Sequence, residues 1–90
     1  MKQHLNIKVY GLVQGVFFRK SAKDMADELA VPGWVRNEHD GSVSIMATGE
    51  KETLEKFIEW CKDGPPMSKV EKVEVNWLSE VEDFGYFSII

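Results

Sequence analysis

The residues Gly11-Leu12-Val13-Gln14-Gly15-Val16-Phe17-Phe18-Arg19 have the types and spacing of an anion site. An alternating apolar segment precedes them and an amphipathic helical pattern follows, so the stretch joins a strand to a helix through a loop ending in arginine. Backbone N–H groups at a helix start lack intrahelical partners and carry the positive end of the helix dipole. A tetrahedral oxyanion can lie against them. Glycine lets backbone approach the oxygens, and a guanidinium adds a planar fork that stays protonated. Only two of the eleven basic residues are arginines, and Arg19 is one of them. A second candidate is Asn37, at the end of a short strand pattern before a hairpin. On residue types alone, a turn with a surface arginine explains the loop equally well, and asparagine is common before hairpins.

Two distant segments make one site only if the fold brings them together. Leu5, Ile7 and Val9 alternate with His4, Asn6, Lys8 and Tyr10, which predicts a first strand. Ala22, Met25, Ala26, Leu29 and Ala30 fall at helical spacing, with Lys20, Lys23, Asp24, Asp27 and Glu28 opposite. Val31-Pro32-Gly33 is expected to stop this helix. Trp34 to Asn37 predicts the second strand, His39-Asp40-Gly41 a hairpin turn, and Ser42 to Thr48 the third strand, with Val43, Ile45 and Ala47 on one face. A second helix opens at Gly49-Glu50, carries the stripe Leu54, Phe57, Ile58 and Cys61, and ends at Asp63-Gly64-Pro65-Pro66. Val73, Val75 and Trp77 alternate in a fourth strand, and Phe84 to Ile90 supplies a short last one.

The order predicts an α+β, ferredoxin-like βαββαβ sandwich: an antiparallel sheet with two helices on one face and a short extra C-terminal strand. Right-handed crossover makes the first and second strands parallel, with the third between them. Their C-terminal ends then share an edge, and the loop ending at Arg19 lies beside Asn37.

The paired patterns Gly11-x-Val13-Gln14-Gly15-Val16-x-Phe18-Arg19 and Gly33-Trp34-Val35-Arg36-Asn37-x-x-x-Gly41-x-Val43, followed by Gly49, resemble the two signature motifs of acylphosphatases. The resemblance extends over essentially the whole chain, read as a single domain, residues 1–90. It implies hydrolysis of the carboxyl–phosphate bond of a small-molecule acyl phosphate, with no metal and no cofactor. It also implies that Arg19 binds the phosphoryl group and Asn37 orients the attacking water. The backbone of Gln14, Gly15, Val16, Phe17 and Phe18 forms the cradle, for which inorganic phosphate or sulfate competes. Two positions depart from the family pattern. Ala30 stands where many members have glycine, which leaves the helix stop to Pro32-Gly33, and the Ile90 terminus lacks the usual final aromatic. A non-catalytic anion-binding module of the same fold is the alternative, and turnover separates the two. An accessory domain for a larger enzyme fits less well, because the chain has no further domain.

Composition narrows the field further. Net charge is −4, which disfavours a nucleic-acid surface, and no apolar run approaches the roughly 18 residues of a membrane span. No signal peptide is legible, and the one cysteine, Cys61, fits the helical core stripe. A cytoplasmic monomer is the resulting expectation. Lys20-Ser21 is not the end of a nucleotide-binding P-loop, since Arg19 replaces the required glycine. Glu38, His39 and Asp40 lie adjacent in a tight turn and point apart, so they read as a solvated turn rather than a metal cluster. Arg36 alternates away from Asn37 and reads as a surface residue. Trp34, Phe84, Tyr86 and Phe87 are assigned to core packing, not to an RNA-stacking platform.

Overall fold

The computed structural model describes residues 2–79 and 84–90. Its elements run β1 (Lys2–Leu12), α1 (Phe18–Glu28), β2 (Gly33–Asn37), β3 (Val43–Glu50), α2 (Lys51–Asp63), β4 (Lys69–Leu78) and β5 (Phe87–Ile89). The sheet order is β4-β1-β3-β2-β5. β1 is antiparallel to β3 and β4, and β2 is antiparallel to β3, so β1 and β2 point the same way. β5 adds to β2 in parallel, with Gly33 opposite Phe87 and Val35 opposite Ile89. The C-terminal ends of β1, β2 and β5 therefore meet at one edge.

Both helices cover one sheet face because every apolar stripe turns there. Leu5, Ile7 and Val9 of β1, Val35 of β2, and Val43, Ile45 and Ala47 of β3 are fully buried. Helix α1 buries Phe18, Ala22 and Ala26, a spacing of four that keeps one face inward. Helix α2 buries Leu54, Phe57 and Cys61. Phe57 joins the helices to the last strand: it stacks on Trp60 with centroids 6.0 Å apart and meets Phe87 edge-on at 5.9 Å. Trp60 in turn meets Phe18 at 5.3 Å, which anchors the start of α1 to α2. Burial pushes the Cys61 thiol far above its ordinary range, as expected of a cysteine that packs as a small hydrophobe. Among the described residues, no helix is long and apolar enough to cross a membrane.

The expected aromatic core is only partly present. Phe87 alone of the four aromatics is buried. Trp34 alternates with buried Val35 and so faces outward, where the Arg36 guanidinium covers it at 4.7 Å. Phe84 stacks on His4 on that same outer face, and Tyr86 is 74% exposed. Trp77 shares the helix-facing side of β4, but β4 is an edge strand and leaves it largely open.

The end of α1 also differs from expectation. Ala30 adopts φ 57, its N–H bonds to Asp27 O, and the Val31 N–H bonds to Ala26 O. This is a Schellman termination with alanine in the left-handed position that glycine normally takes. The helix is already closed before Pro32-Gly33, and Ala30 carries the strain of its Cβ in that conformation. Ala30→Gly should therefore raise stability by about 1 kcal/mol in urea denaturation, somewhat reduced by the looser unfolded chain. Ala30→Val should lower it.

Candidate active site

Gly11 begins the site by ending the regular part of β1. At φ 124 it marks the register shift against β4, and a side chain there would collide with the backbone of Lys69. The chain then leaves the sheet through residues 13–17. Val13 and Val16 point inward and are buried, while Gly15, at φ 74, has open space around it. Phe17 caps α1 in the left-handed conformation, φ 66, and its side chain is 70% exposed. No side chain caps the helix start, and its first backbone hydrogen bond runs from Ser21 N–H to Phe17 O. The N–H groups of Phe18, Arg19 and Lys20 thus have no partner within the helix.

Arg19 is not at the end of a loop, as the sequence suggested, but in the first turn of α1. Its exposed guanidinium has no ion pair among the described residues. The other arginine contrasts with it: Arg36 Nε donates to Glu38 Oε2 at 2.9 Å and rests over Trp34. Lys20 is held by Asp24 at 2.7 Å. The strongest free positive charge beside the loop is therefore Arg19 together with the helix terminus.

A cleft of about 320 Å³ opens at this point. Val13, Gly15 and Phe17 of the loop, Phe18, Arg19 and Lys20 of the helix, and Ile89 of β5 line it. Of the residues singled out from sequence, the cleft brings together Gly15, Phe17, Phe18 and Arg19. Gln14, Val16 and Asn37 do not line it.

Asn37 adjoins the loop by another route. It pairs with Val43, which in turn lies beside Val9, so the three residues form a row across β2, β3 and β1. Val9 and Val43 face the helices, and Asn37 therefore continues the inward stripe after Val35, two residues on. The result is a polar side chain at the end of an apolar row. Its Oδ1 is buried with no hydrogen-bond partner among the described residues.

The link between loop and hairpin is the side chain of Gln14, a residue whose sequence position points only to a backbone role. Its Nε2 donates to Glu38 O at 2.8 Å and to Ser42 O at 2.9 Å, the residues that flank the turn just after Asn37. A long amide before Gly15 was the only available signal, and it does not reveal which carbonyls it meets. The turn itself is braced. Glu38 N–H bonds to Ser42 O at 2.8 Å, and Asp40 accepts from the Ser42 hydroxyl and N–H and pairs with Lys8 at 3.1 Å. Those donors, Ser42 first, hold the Asp40 carboxyl down at about 2. A lowered folded value means that its support is present above the ordinary carboxylate range and fades as pH falls through about 2. The hydroxyl of Ser44, and then Arg36, likewise hold the Glu38 carboxyl below its usual range. His39 is exposed, and among the described residues no group of three or more His, Cys, Asp or Glu could hold a metal ion.

Removing the Gln14 amide should loosen the hairpin from the loop. Gln14→Ala is expected to lose about 1–2 kcal/mol in chemical denaturation. Gln14→Glu should lose more at pH 7, where a carboxylate faces two carbonyl oxygens, and its deficit should narrow toward pH 4 as the acid form regains a donor.

Comparison with known proteins bears on what this arrangement does. A family model described as acylphosphatase matches residues 5–89. The chain is 48% identical to the acylphosphatase of Pyrobaculum calidifontis over 86 residues, covering 94% of this chain and 78% of that one. It is similar to the crystal structure of acylphosphatase from Bacillus subtilis, with a TM-score of 0.94 and 41% identity, covering 100% of this chain and 99% of that one. An acylphosphatase structure from Coxiella burnetii gives a TM-score of 0.94 at 37% identity, covering 99% and 93%.

Proposed function

The chain belongs to the acylphosphatase family, whose reaction is the hydrolysis of acyl phosphates, and from that premise we propose how this site performs it. The phosphoryl group lies against the N–H groups of residues 14–18, at the start of α1, with two equatorial oxygens on the Arg19 fork. Asn37 Oδ1 accepts a hydrogen bond from the attacking water and fixes it in line with the bond to be broken. Water oxygen bonds to phosphorus, the phosphorus–oxygen bond to the acyl carboxyl breaks, and the electron pair leaves with the carboxylate. A phosphoryl oxygen of the substrate accepts the water's proton.

The chemistry supports this division of labour. A carboxylate is a good leaving group, so little acid catalysis is needed, and the protein's contribution is positioning and charge stabilisation. The observation that carries the assignment is a pair of groups at one sheet edge that have no partner among the described residues: an exposed guanidinium without an ion pair at a helix start and a buried asparagine oxygen without a hydrogen bond. The buried oxygen is costly in a protein that only has to fold, the exposed guanidinium is unfavourably placed only by the helix dipole, and each matches one end of the proposed reaction. The mechanism assigns no step to a metal or cofactor.

We further propose a monomer acting in the cytoplasm on a small-molecule acyl phosphate, with inorganic phosphate or sulfate as competing anions and no nucleic-acid or membrane partner. The net charge of −4 and the buried, free Cys61 thiol support that setting.

The test is benzoyl phosphate hydrolysis with a chelator present. Arg19→Ala should reduce kcat/KM by at least about a thousandfold and weaken inhibition by inorganic phosphate. Asn37→Ala should reduce kcat about a hundredfold or more while phosphate inhibition persists. A wild-type rate no greater than the uncatalysed one overturns the catalytic reading, and a fully active Asn37→Ala overturns the water assignment.

A further inference from the structure

The charged residues that line the cleft are Arg19 and Lys20, neighbours in the first turn of α1. Its other lining residues include Phe17, Ile89 and the buried Val13. Phe17 is unusual in two ways at once. It places a bulky aromatic side chain in the left-handed conformation, at φ 66, and leaves that side chain 70% exposed. Glycine or asparagine would relieve the backbone, and a polar residue would relieve the exposure. Ile89 lines the same cleft from a different part of the chain. It lies on the inward side of β5, opposite Val35, and is 40% exposed at the edge where the loop begins.

This second wall is held in place by the bonds that join β5 to its neighbours. Lys23 Nζ donates to Phe87 O at 3.0 Å, tying α1 to β5. Gly33 N–H bonds to Tyr86 O at 3.1 Å, and Ile90 N–H to Val35 O at 2.9 Å, fixing both ends of the short strand. A three-residue edge strand is thereby set with an isoleucine over the cleft. Asn37 does not line this space. In-line displacement requires water and leaving group on opposite sides of phosphorus, so a cleft without Asn37 suits the leaving side.

We propose that Phe17 and Ile89 form the subsite for the acyl group, selecting acyl phosphates whose acyl portion is bulky and apolar, above all aromatic, over short ones. The proposal rests on the phosphoryl site assigned above. The substrate would lie with its phosphoryl group at Arg19 and the helix start, and its acyl carbons between the Phe17 ring and the Ile89 side chain. The space of about 320 Å³ is at the small end of ligand pockets, which fits one ring but no extended chain.

Binding and turnover test this separately. Dissociation constants for benzoylphosphonate and acetylphosphonate, in which a carbon–phosphorus bond replaces the hydrolysable anhydride linkage, read the subsite alone by calorimetry. Wild type should bind the benzoyl compound about tenfold more tightly. Phe17→Asn, which keeps a residue tolerant of the left-handed conformation, should abolish most of that preference, and Ile89→Ala should reduce it about threefold. The kcat/KM ratio for benzoyl over acetyl phosphate should fall in the same order, a comparison within which the leaving groups' own reactivity cancels. Wild type that binds the two phosphonates equally overturns the subsite, as does a preference untouched by both substitutions. Absence of turnover with the binding preference intact instead overturns the hydrolytic reading and leaves the subsite standing.

Discussion

The two helices of this fold start in opposite electrostatic conditions, and the rest of the structure follows from that difference. Helix α2 is ordinary: Glu52 lies in its first turn and Lys62 in its last, each complementing the helix dipole. Helix α1 has no acidic residue in its first turn and no side-chain cap, and Arg19 adds a full positive charge where the dipole is already positive. A cation there is unfavourable by about 0.3–1 kcal/mol, and the unpaired N–H groups add to it. In a protein of net charge −4 this is a locally concentrated positive site, built against the grain of its own helix.

Such a terminus persists only because tertiary contacts hold it. Phe18, the first helical residue, is buried and packed on Trp60, so the helix cannot unwind there without exposing an aromatic ring. Gln14 ties the preceding loop to the hairpin through two backbone carbonyls, and Asp40 and Lys8 brace that hairpin in turn. The same contacts that oppose the unfavourable helix start also fix its distance from Asn37. Stability and positioning are therefore supplied by one set of bonds, and neither can be weakened without the other.

Much of this was legible in the sequence, for definite reasons. The period of two in Leu5, Ile7 and Val9, the spacing in α1 and α2, and the handedness of crossover connections together dictate which strand ends share an edge, and there the loop, through Gln14, is bonded to the hairpin that follows Asn37. What was not legible depends on contacts distant in sequence or on strain. The Gln14 bonds span 24 and 28 residues. Pairing of β5 beside β2 covers only three residues and leaves no periodic trace. Ala30 has no local preference for the left-handed conformation, so its role as the helix terminator emerges only once Val31 and the sheet draw the chain back. Excluding an RNA platform leaves core packing as the expectation for Trp34 and Tyr86, whereas alternation with Val35 and Phe87 turns them outward.

Alternation also explains why Asn37 is exceptional and Arg36 is not. Along β2 the inward positions are Gly33, Val35 and Asn37, and the outward ones Trp34 and Arg36. Outward Arg36 is paired to Glu38 and stacked on Trp34, so its charge is locally spent and solvated. Inward Asn37 ends a stripe where every other fold requirement favours an apolar residue, and its Oδ1 is buried without a partner among the described residues. An unsatisfied buried acceptor costs about 1–3 kcal/mol, which valine at this position would recover. A residue that opposes stability, at the end of β2 on the edge where β1 runs out toward α1, is what the proposed water site would require and what folding alone would not select.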